Sequence, residues 1–241
     1  MNSKYTGDPL EVIGAIHAAK RMKLDLIIAP EWALNRKYPN DGDSVREPYS
    51  PAEARQLIHA LARATLGSRL IAMPGTMMVA TPTQRTGNSS PFQSRTSTAL
   101  YNVLPIVSNG RLVYSITKES DFGSSSFDLR REMLLSYSPK SRVLERGGIV
   151  YGIEICGDTG SLYRDVQYDS TKRVDVQVLV SCAKPTPVCA IRPGGIMLAA
   201  DGAFSSSTLY TIDENGKLKG HEPDRIKGML AVYSAMLKTN V

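Results

Sequence analysis

The segment Leu-Asp-Leu-Ile-Ile-Ala-Pro-Glu-Trp (residues 24–32) places a carboxylate directly behind an apolar run. Apart from Asp25, residues 24–29 are apolar on both faces, as in a strand buried within a sheet, and Pro30 ends the run. Two later segments repeat this arrangement: residues 111–118 (Arg-Leu-Val-Tyr-Ser-Ile-Thr-Lys) end in Lys118, and residues 148–158 (Gly-Ile-Val-Tyr-Gly-Ile-Glu-Ile-Cys-Gly-Asp) deliver Cys156. A carboxylate, an ammonium and a thiol therefore follow three separate predicted strands.

The elements around these segments predict a layered α/β domain. Helices are predicted over residues 9–23, capped by Asp8, and from Pro51 to Gly67, because apolar residues recur there at helical spacing. Asn109-Gly110 is a strong hairpin signal between two strands. The remaining predicted elements are strands at 69–80 (interrupted at Pro74-Gly75), 98–107, 174–181, 196–200 and 207–213, and loops at 81–97 and 184–195. This order favours α/β layers over a helical bundle or an all-β barrel.

The composition is that of an ordinary globular protein, with 42% hydrophobic and 22% charged residues in a chain of 241, and we expect a single domain over residues 1–241. The net charge is +6, but the basic residues are dispersed and no aromatic residues interleave with them, which favours a solvated surface over a nucleic-acid site. No apolar run is long enough to span a membrane, and the N-terminus lacks a secretory signal. Three cysteines argue against a disulfide framework and favour a reducing compartment, most simply the cytoplasm.

The three groups together have the chemistry that acyl transfer on a carbon–nitrogen bond requires. Cys156 supplies a nucleophile once its thiol is deprotonated. Glu31 is the candidate base, because partial burial would raise its pKa toward a useful value. Lys118 would oppose the negative charge that develops on the substrate, assisted by the N–H of Gly157. The three histidines are interpreted as surface or helix-flank residues (His17, His59 and His221).

Each of these residues alone has a simpler interpretation. A cysteine at a strand end is most often a small core residue, and Cys182 and Cys189 are interpreted in that way. Glu31 or Lys118 alone would be a solvated side chain beyond a strand. The ordered set, in which each residue follows its own buried strand, is what favours catalysis.

These segments resemble those of the nitrilase superfamily of carbon–nitrogen hydrolases, whose members use a Glu–Lys–Cys triad. Residues 25–32 resemble the glutamate segment, and residues 152–158 resemble the nucleophile segment. Leu100-Tyr101-Asn102-Val103, the turn at Asn109-Gly110 and Lys118 resemble the segment that carries the lysine. Residues 195–202, 206–213 and 215–216 are similar to the closing strands, so that the resemblance covers roughly residues 9 to 220.

The resemblance implies a four-layer α-β-β-α sandwich, commonly paired into a homodimer or a higher homo-oligomer. It implies that Glu31, Lys118 and Cys156 are the base, the stabilising lysine and the nucleophile for a small-molecule amide or nitrile substrate. Gly157, Trp32 and Tyr101 are candidate substrate-binding residues, although core packing explains the two aromatic side chains equally well. Asp158 is expected to orient the nucleophile's turn. We expect no cofactor, no metal, no nucleic acid and no membrane partner.

The sequence departs from the family pattern in three places. The first predicted helix lies almost at the start of the sequence, so we expect the family's opening edge strand to be missing. Ser126 stands where many members have a second glutamate, while Glu119, Asp128 and Glu132 are out of register. Residues 182–195 replace a longer segment that normally contributes a helix beside the active site.

The leading hypothesis is a thiol-dependent hydrolase of a small amide, carbamoyl, ureido or nitrile compound, working through a thioester on Cys156. Glycine at position 157 leaves the choice between amidase and nitrilase open. One alternative is a catalytically degenerate nitrilase-like protein with a binding or regulatory role. Another is a glutaminase-like module that passes ammonia to a partner.

Overall fold

A computed structural model describes residues 8–34, 48–83, 97–119, 133–135, 141–181, 188–202, 206–213, 217–227, 230–235 and 237. Helix α1 (Pro9–Arg21) is capped by Asp8, whose side chain accepts the Leu10 N–H at 2.9 Å. Helix α2 (Pro51–Ala64) begins with a reciprocal capping box between Ser50 and Glu53. Both helices therefore start where the sequence predicts. Among the described helices, none combines the length and apolarity that crossing a bilayer requires.

The first sheet is organised around one long strand, β4 (Ser97–Ser108). It pairs antiparallel with three strands: β2 (Ile71–Met73), β3 (Met77–Thr83) and β5 (Arg111–Thr117). It also pairs in parallel with the short strand β6 (Met133–Leu135). Strand β1 (Leu26–Ile28) runs parallel to β2 and, within the described residues, pairs with no other strand, so β1 lies at the edge of this sheet.

The second sheet contains the thiol-bearing strand near one edge. Its strand order is β12-β11-β10-β9-β8-β7, and β8, β9 and β10 run parallel to one another. The strands are β7 (Val143–Arg146), β8 (Ile149–Ile155), β9 (Val174–Ser181), β10 (Ile191–Asp201), β11 (Ser206–Ile212) and β12 (Leu218–His221). A 3₁₀ turn (Cys156–Asp158) and helix α3 (Ser161–Tyr168) follow β8, and a small hairpin is formed by β13 (Arg225–Lys227) and β14 (Leu230–Val232).

Apolar side chains between the layers hold the sheets and helices together. Met73 and Leu104 of the first sheet meet Ile153, Ile155 and Val178 of the second in one buried cluster. Each fully buried side chain of this size contributes roughly 1.5–3 kcal/mol of transfer free energy. On the outside, α1 and α2 pack on the first sheet, and α3 packs on the second. The predicted α-β-β-α sandwich is confirmed.

Most strand predictions are confirmed, but β3 extends to Thr83 within the predicted loop 81–97, and the sequence pattern did not reveal β6, β7, β13 or β14. The hairpin at Asn109-Gly110 is present, with φ of +46° and +77° at the two turn residues. Strand β7, which the sequence pattern did not reveal, joins β8 through a turn at Gly147-Gly148. Strand β10 begins at Ile191 rather than at 196. Its pairing with β9 shifts register between Ile191 and Ile196, so the residues between these two positions do not pair with β9. A bulge of this kind accommodates proline and glycine inside a strand.

Gly75 provides a test of how closely the first sheet packs against the turn that carries Glu31. Its φ is +83°, and a Cβ built there would clash with the Pro30 carbonyl oxygen and the Ala33 side chain. Gly67 also has positive φ (+72°), but a Cβ there would have no atom within 4 Å. We expect Gly67→Ala to lose about 1–2 kcal/mol of unfolding free energy because of its left-handed backbone. Gly75→Ala should lose a further ~1–3 kcal/mol through overpacking.

Denaturant unfolding of the two variants measures this difference directly. Because both substitutions carry the same backbone cost, the extra loss in Gly75→Ala reports the close approach alone. Equal free energies of unfolding for the two variants would contradict close packing of Gly75 against Pro30 and Ala33.

Candidate active site

Glu31 lies in the turn that follows β1, and hydrogen bonds attach this turn to both sheets. The Glu31 N–H donates to the Ser181 carbonyl at the end of β9 at 3.2 Å, and the Trp32 N–H donates to Thr76 Oγ1 at 3.0 Å. Trp32 adopts a left-handed backbone with φ of +69°. The turn therefore directs the Glu31 side chain inward, where the residue is only 2% exposed.

Lys118 reaches Glu31 from the end of β5. Its backbone N–H donates to the Asn102 carbonyl at 2.9 Å, which continues the ladder between β4 and β5 by one residue. Its Nζ lies 2.8 Å from Glu31 Oε1, and the two side chains are 9% and 1% exposed. This is a buried ion pair between residues 87 positions apart in the sequence.

Cys156 follows β8 in a backbone conformation that is unusual for a cysteine. Its φ is +41°, a region that costs a residue other than glycine of order 1–3 kcal/mol. The Thr159 N–H, at 3.0 Å, and the Thr159 hydroxyl both donate to the Cys156 carbonyl and close the turn. The thiol lies close enough to the Glu31 carboxylate for hydrogen bonding to act to lower the pKa of Glu31, and Cys156 is 9% exposed. The structure thus brings Glu31, Lys118 and Cys156 together.

Burial and the neighbouring charges together determine the protonation of Glu31 and Lys118. Burial raises the pKa of Glu31, although hydrogen bonds from Lys118, Cys156 and Asn102 and the charge of Lys118 act in the opposite direction. Burial alone would lower the pKa of Lys118, but the adjacent Glu31 carboxylate outweighs it, and the pKa of Lys118 is raised. The lysine therefore stays charged at neutral pH, and the carboxylate accepts a proton more readily than an exposed glutamate would.

Asn102 is a further residue of this site, to which the sequence pattern assigned no role. Its Nδ2 donates to Glu31 Oε1 at 2.9 Å, so this oxygen accepts from both Asn102 and Lys118. Asn102 is 1% exposed, and its Oδ1 has no hydrogen-bond partner within the described residues. The available signal was a polar amide inside the apolar strand 100–107. Asn102 helps to fix the orientation of the Glu31 carboxylate.

Asp158 anchors the nucleophile's turn to the strand that carries Lys118. Its two carboxylate oxygens accept the Glu119 N–H at 3.0 and 3.3 Å. The carboxylate of Glu119 itself pairs with Arg142. Arg164 donates to Ser161 Oγ at 2.9 Å within the same turn and helix start. Ser126, Asp128 and Glu132 lie outside the described residues.

The three predicted substrate-binding residues lie at different positions relative to the candidate site. The Trp32 ring centroid lies 5.8 Å from Lys118 Nζ, which puts this side chain beside the candidate site. Gly157 directly follows Cys156 in the 3₁₀ turn and is partly exposed. Tyr101 precedes Asn102 on β4, and successive residues of a strand face opposite sides. It therefore shares a face with Val103, which packs against the buried cluster between the helices and the first sheet. Substrate binding by Tyr101 stays a prediction, and this position does not favour it.

A metal centre finds no support in the described residues, where no group of three or more His, Cys, Asp or Glu side chains is arranged to hold an ion. The free thiols described there are Cys156, which is buried, and Cys189, which is partly buried. Cys182 lies outside the described residues.

Solved structures of an amidase, of a nitrilase-superfamily member and of an NAD+ synthetase share this fold. The amidase from Nesterenkonia sp. AN1 matches 88% of this chain and 80% of its own, with 12% identity and a TM-score of 0.54. Saccharomyces cerevisiae Nit3, a nitrilase-superfamily member, matches 89% of this chain and 79% of its own, with 15% identity and a TM-score of 0.53. This chain spans only 45% of the glutamine-dependent NAD+ synthetase of Acinetobacter baumannii, which covers 90% of it with 16% identity and a TM-score of 0.50.

The likeness lies in structure rather than in sequence. No family model matches this sequence, and no curated protein matches it. The chain has the carbon–nitrogen hydrolase fold of the nitrilase superfamily, as the sequence resemblance implied.

Lys118→Met tests whether the lysine supports a buried negative charge on Glu31. Without the ammonium, burial acts on Glu31 with less opposition, and its pKa should rise further. A carboxyl whose folded-state pKa lies above its unfolded value stabilises the fold below the unfolded pKa and loses that contribution as pH rises through the folded pKa. We therefore expect the variant to lose about 3–5 kcal/mol of unfolding free energy at pH 8 and less at pH 5.

Denaturant unfolding at the two pH values checks this expectation, with exposed Lys172→Met as the matched control. The control should unfold like the wild type at both pH values. If Lys118→Met were equally destabilised at pH 5 and pH 8, Lys118 would not control the protonation of Glu31.

Proposed function

We propose that this protein is a thiol-dependent hydrolase of non-peptide carbon–nitrogen bonds in small amides, including carbamoyl and ureido compounds, or in nitriles. The observation that carries the proposal is the convergence of three side chains from separate strands. The Lys118 ammonium lies 2.8 Å from the Glu31 carboxylate, and the Cys156 thiol is close enough to the same carboxylate for hydrogen bonding to act to lower its pKa. A base, a cation and a nucleophile in one buried place are what acyl transfer requires.

For an amide, the first half-reaction forms a thioester. The Cys156 thiol gives its proton to Glu31 while its sulfur attacks the carbonyl carbon, forming a carbon–sulfur bond. The resulting oxyanion is opposed by the Lys118 ammonium and by the Gly157 N–H; loss of one such donor costs roughly 3 kcal/mol in the barrier. Collapse of this intermediate breaks the carbon–nitrogen bond, and the leaving nitrogen takes the proton from Glu31.

The second half-reaction releases the acid and restores the thiol. Glu31 removes a proton from water, whose oxygen attacks the thioester carbon. The carbon–sulfur bond then breaks, and the sulfur recovers a proton from Glu31. The raised pKa of Glu31 suits both directions of proton transfer, because general catalysis is most efficient when the pKa of the base lies near the working pH.

The substrate panel follows from the chemistry and from the structural neighbours. Two solved structures of one mutant of the Nesterenkonia amidase show its active-site cysteine modified, in one by the acetamide moiety of fluoroacetamide and in the other by Michael addition of acrylamide. Fluoroacetamide and acrylamide are therefore useful probes of Cys156. Glutamine belongs in the panel because one neighbour is a glutamine-dependent synthetase. Ammonia release from glutamine only with a partner present would favour the ammonia-donor alternative.

Cys156→Ala should abolish turnover of any amide or nitrile that the wild type hydrolyses, by at least about 10⁴-fold in kcat, because it removes the nucleophile. Cys189→Ala is the matched control, since it removes a second thiol, which is partly buried, and should keep full activity. Ammonia release measures turnover, and intact mass spectrometry with peptide mapping should locate a thioester or acetamide adduct on Cys156.

Full activity in Cys156→Ala would refute the nucleophile assignment. A wild-type protein that binds members of the panel but forms no adduct and releases no ammonia would favour the degenerate binding protein instead. The predicted homo-oligomer and cytoplasmic location belong to the same proposal.

A further inference from the structure

Glu154 is a fully buried carboxylate that the proposed chemistry does not use. It stands two residues before Cys156 on β8 and is 0% exposed. Its neighbours Ile153 and Ile155 face the cluster between the sheets, so Glu154 faces the opposite side, where α3 packs. A buried carboxylate needs compensating donors, and the partners of Glu154 show what it holds in place.

One set of partners is the start of helix α3. Leu162 N–H donates to Glu154 Oε1 at 3.0 Å, and the Gly160 N–H lies close enough for hydrogen bonding to act to lower the pKa of this carboxylate. The N-cap residue of α3 is Gly160, which has φ of +90° and forms no side-chain cap. Glu154 therefore supplies from the neighbouring strand the acceptor that the helix lacks locally, where the helix dipole also favours a negative charge.

The other partner is Gln177 on β9, which is also 0% exposed. Its Nε2 donates to Glu154 Oε2 at 2.9 Å and to the Val188 carbonyl at 2.8 Å. Its Oε1 accepts the Ala190 N–H at 2.7 Å. Glu154 and Gln177 thus form one hydrogen-bonded pair, the Glu154–Gln177 brace, which links the nucleophile strand, the start of α3 and residues 188–190.

This brace encloses the strained turn of the nucleophile. Glu154 precedes Cys156, and the groups it binds, Gly160 and Leu162, follow it, so the chain is fixed on both sides of the residue with φ of +41°. Strained conformations persist only where the surroundings over-determine them. The hydrogen bonds within the turn, such as that from Ser161 Oγ to the Asp158 carbonyl at 2.7 Å, fix its interior but not its position on β8.

We infer that Glu154 is a positioning residue, which, through Gly160, Leu162 and Gln177, holds the Cys156 turn so that the thiol lies against Glu31 and Lys118. This inference rests on the proposed function only where turnover is concerned, because the position of the thiol is a property of the fold. Displacement of a reacting group by about 1 Å costs up to ~10²-fold in rate.

Glu154→Gln is the sharpest test. The variant keeps the shape but replaces one acceptor oxygen with an NH₂ group, which must then face an N–H donor of Leu162, Gly160 or Gln177. We expect kcat to fall about 10- to 100-fold with KM changed by no more than about threefold. Alkylation of Cys156 by iodoacetamide, followed by peptide mapping, should slow about tenfold. A merely structural role would lower the melting temperature without these effects in the folded protein.

Two further variants support the comparison. Glu145→Gln removes an exposed carboxylate from the adjacent strand β7 and should match the wild type in both assays. Gln177→Met removes one donor from Glu154 but leaves the N–H groups of Gly160 and Leu162, so its effect should be smaller and in the same direction. If Glu154→Gln does not fold, Gln177→Met decides the question.

The two assays separate this inference from the proposed function. A wild-type protein without turnover would count against the hydrolase proposal, whereas the alkylation rates of the variants relative to the wild type would still test the brace. Alkylation and kcat within about twofold of the wild type in folded Glu154→Gln would overturn the inference.

Discussion

The buried ion pair between Glu31 and Lys118 is the interaction on which the rest of the site depends. Removing two charges from water costs several kcal/mol for each ion, and their attraction repays this cost only with good geometry and additional hydrogen bonds. Both conditions are met: the ions are 2.8 Å apart, and Asn102 and Cys156 also bond to the carboxylate. A hydrophobic pair of similar volume would satisfy the fold alone, so the two buried charges support the proposed chemistry.

The two-sheet architecture explains how such distant residues meet. Strands β1 and β5 of the first sheet and β8 of the second all end at the same side of the sandwich, where Glu31, Lys118 and Cys156 follow them. The Ser181 carbonyl at the end of β9 accepts N–H groups from both Glu31 and Gly202, which ties the turn after β1 to the second sheet. These hydrogen bonds hold the turn after β1 in place, as the preorganisation of the proposed catalytic group requires.

The features that depend on residues close together in the sequence were the predictable part of this structure. The helix caps at Asp8 and Ser50, the Asn109-Gly110 turn and the apolar runs before Glu31, Lys118 and Cys156 are local signals, and the structure has the elements they predict. The order of these elements also pointed to the correct layers.

The unpredicted side-chain contacts of the site join distant segments. Asn102 meets Glu31 across 71 residues, and Gln177 meets Glu154 across 23. The sequence shows each amide inside an apolar strand, but it does not reveal the distant residue that the amide meets. Strand β7 is only four residues long and is followed by a glycine pair, so its short apolar run showed no clear period. The irregularity in β10 depends on the pairing of β10 with β9.

A double-mutant cycle on the free energy of unfolding tests the central claim most directly. It compares Glu31→Gln, Lys118→Met and the combined variant with the wild type at pH 8. Because the combined variant leaves no unpaired buried charge, we predict that it loses at least about 2 kcal/mol less than the sum of the two single losses. Losses that add to within about 0.5 kcal/mol would show that the two side chains do not interact, and would contradict a site organised around the Glu31–Lys118 ion pair.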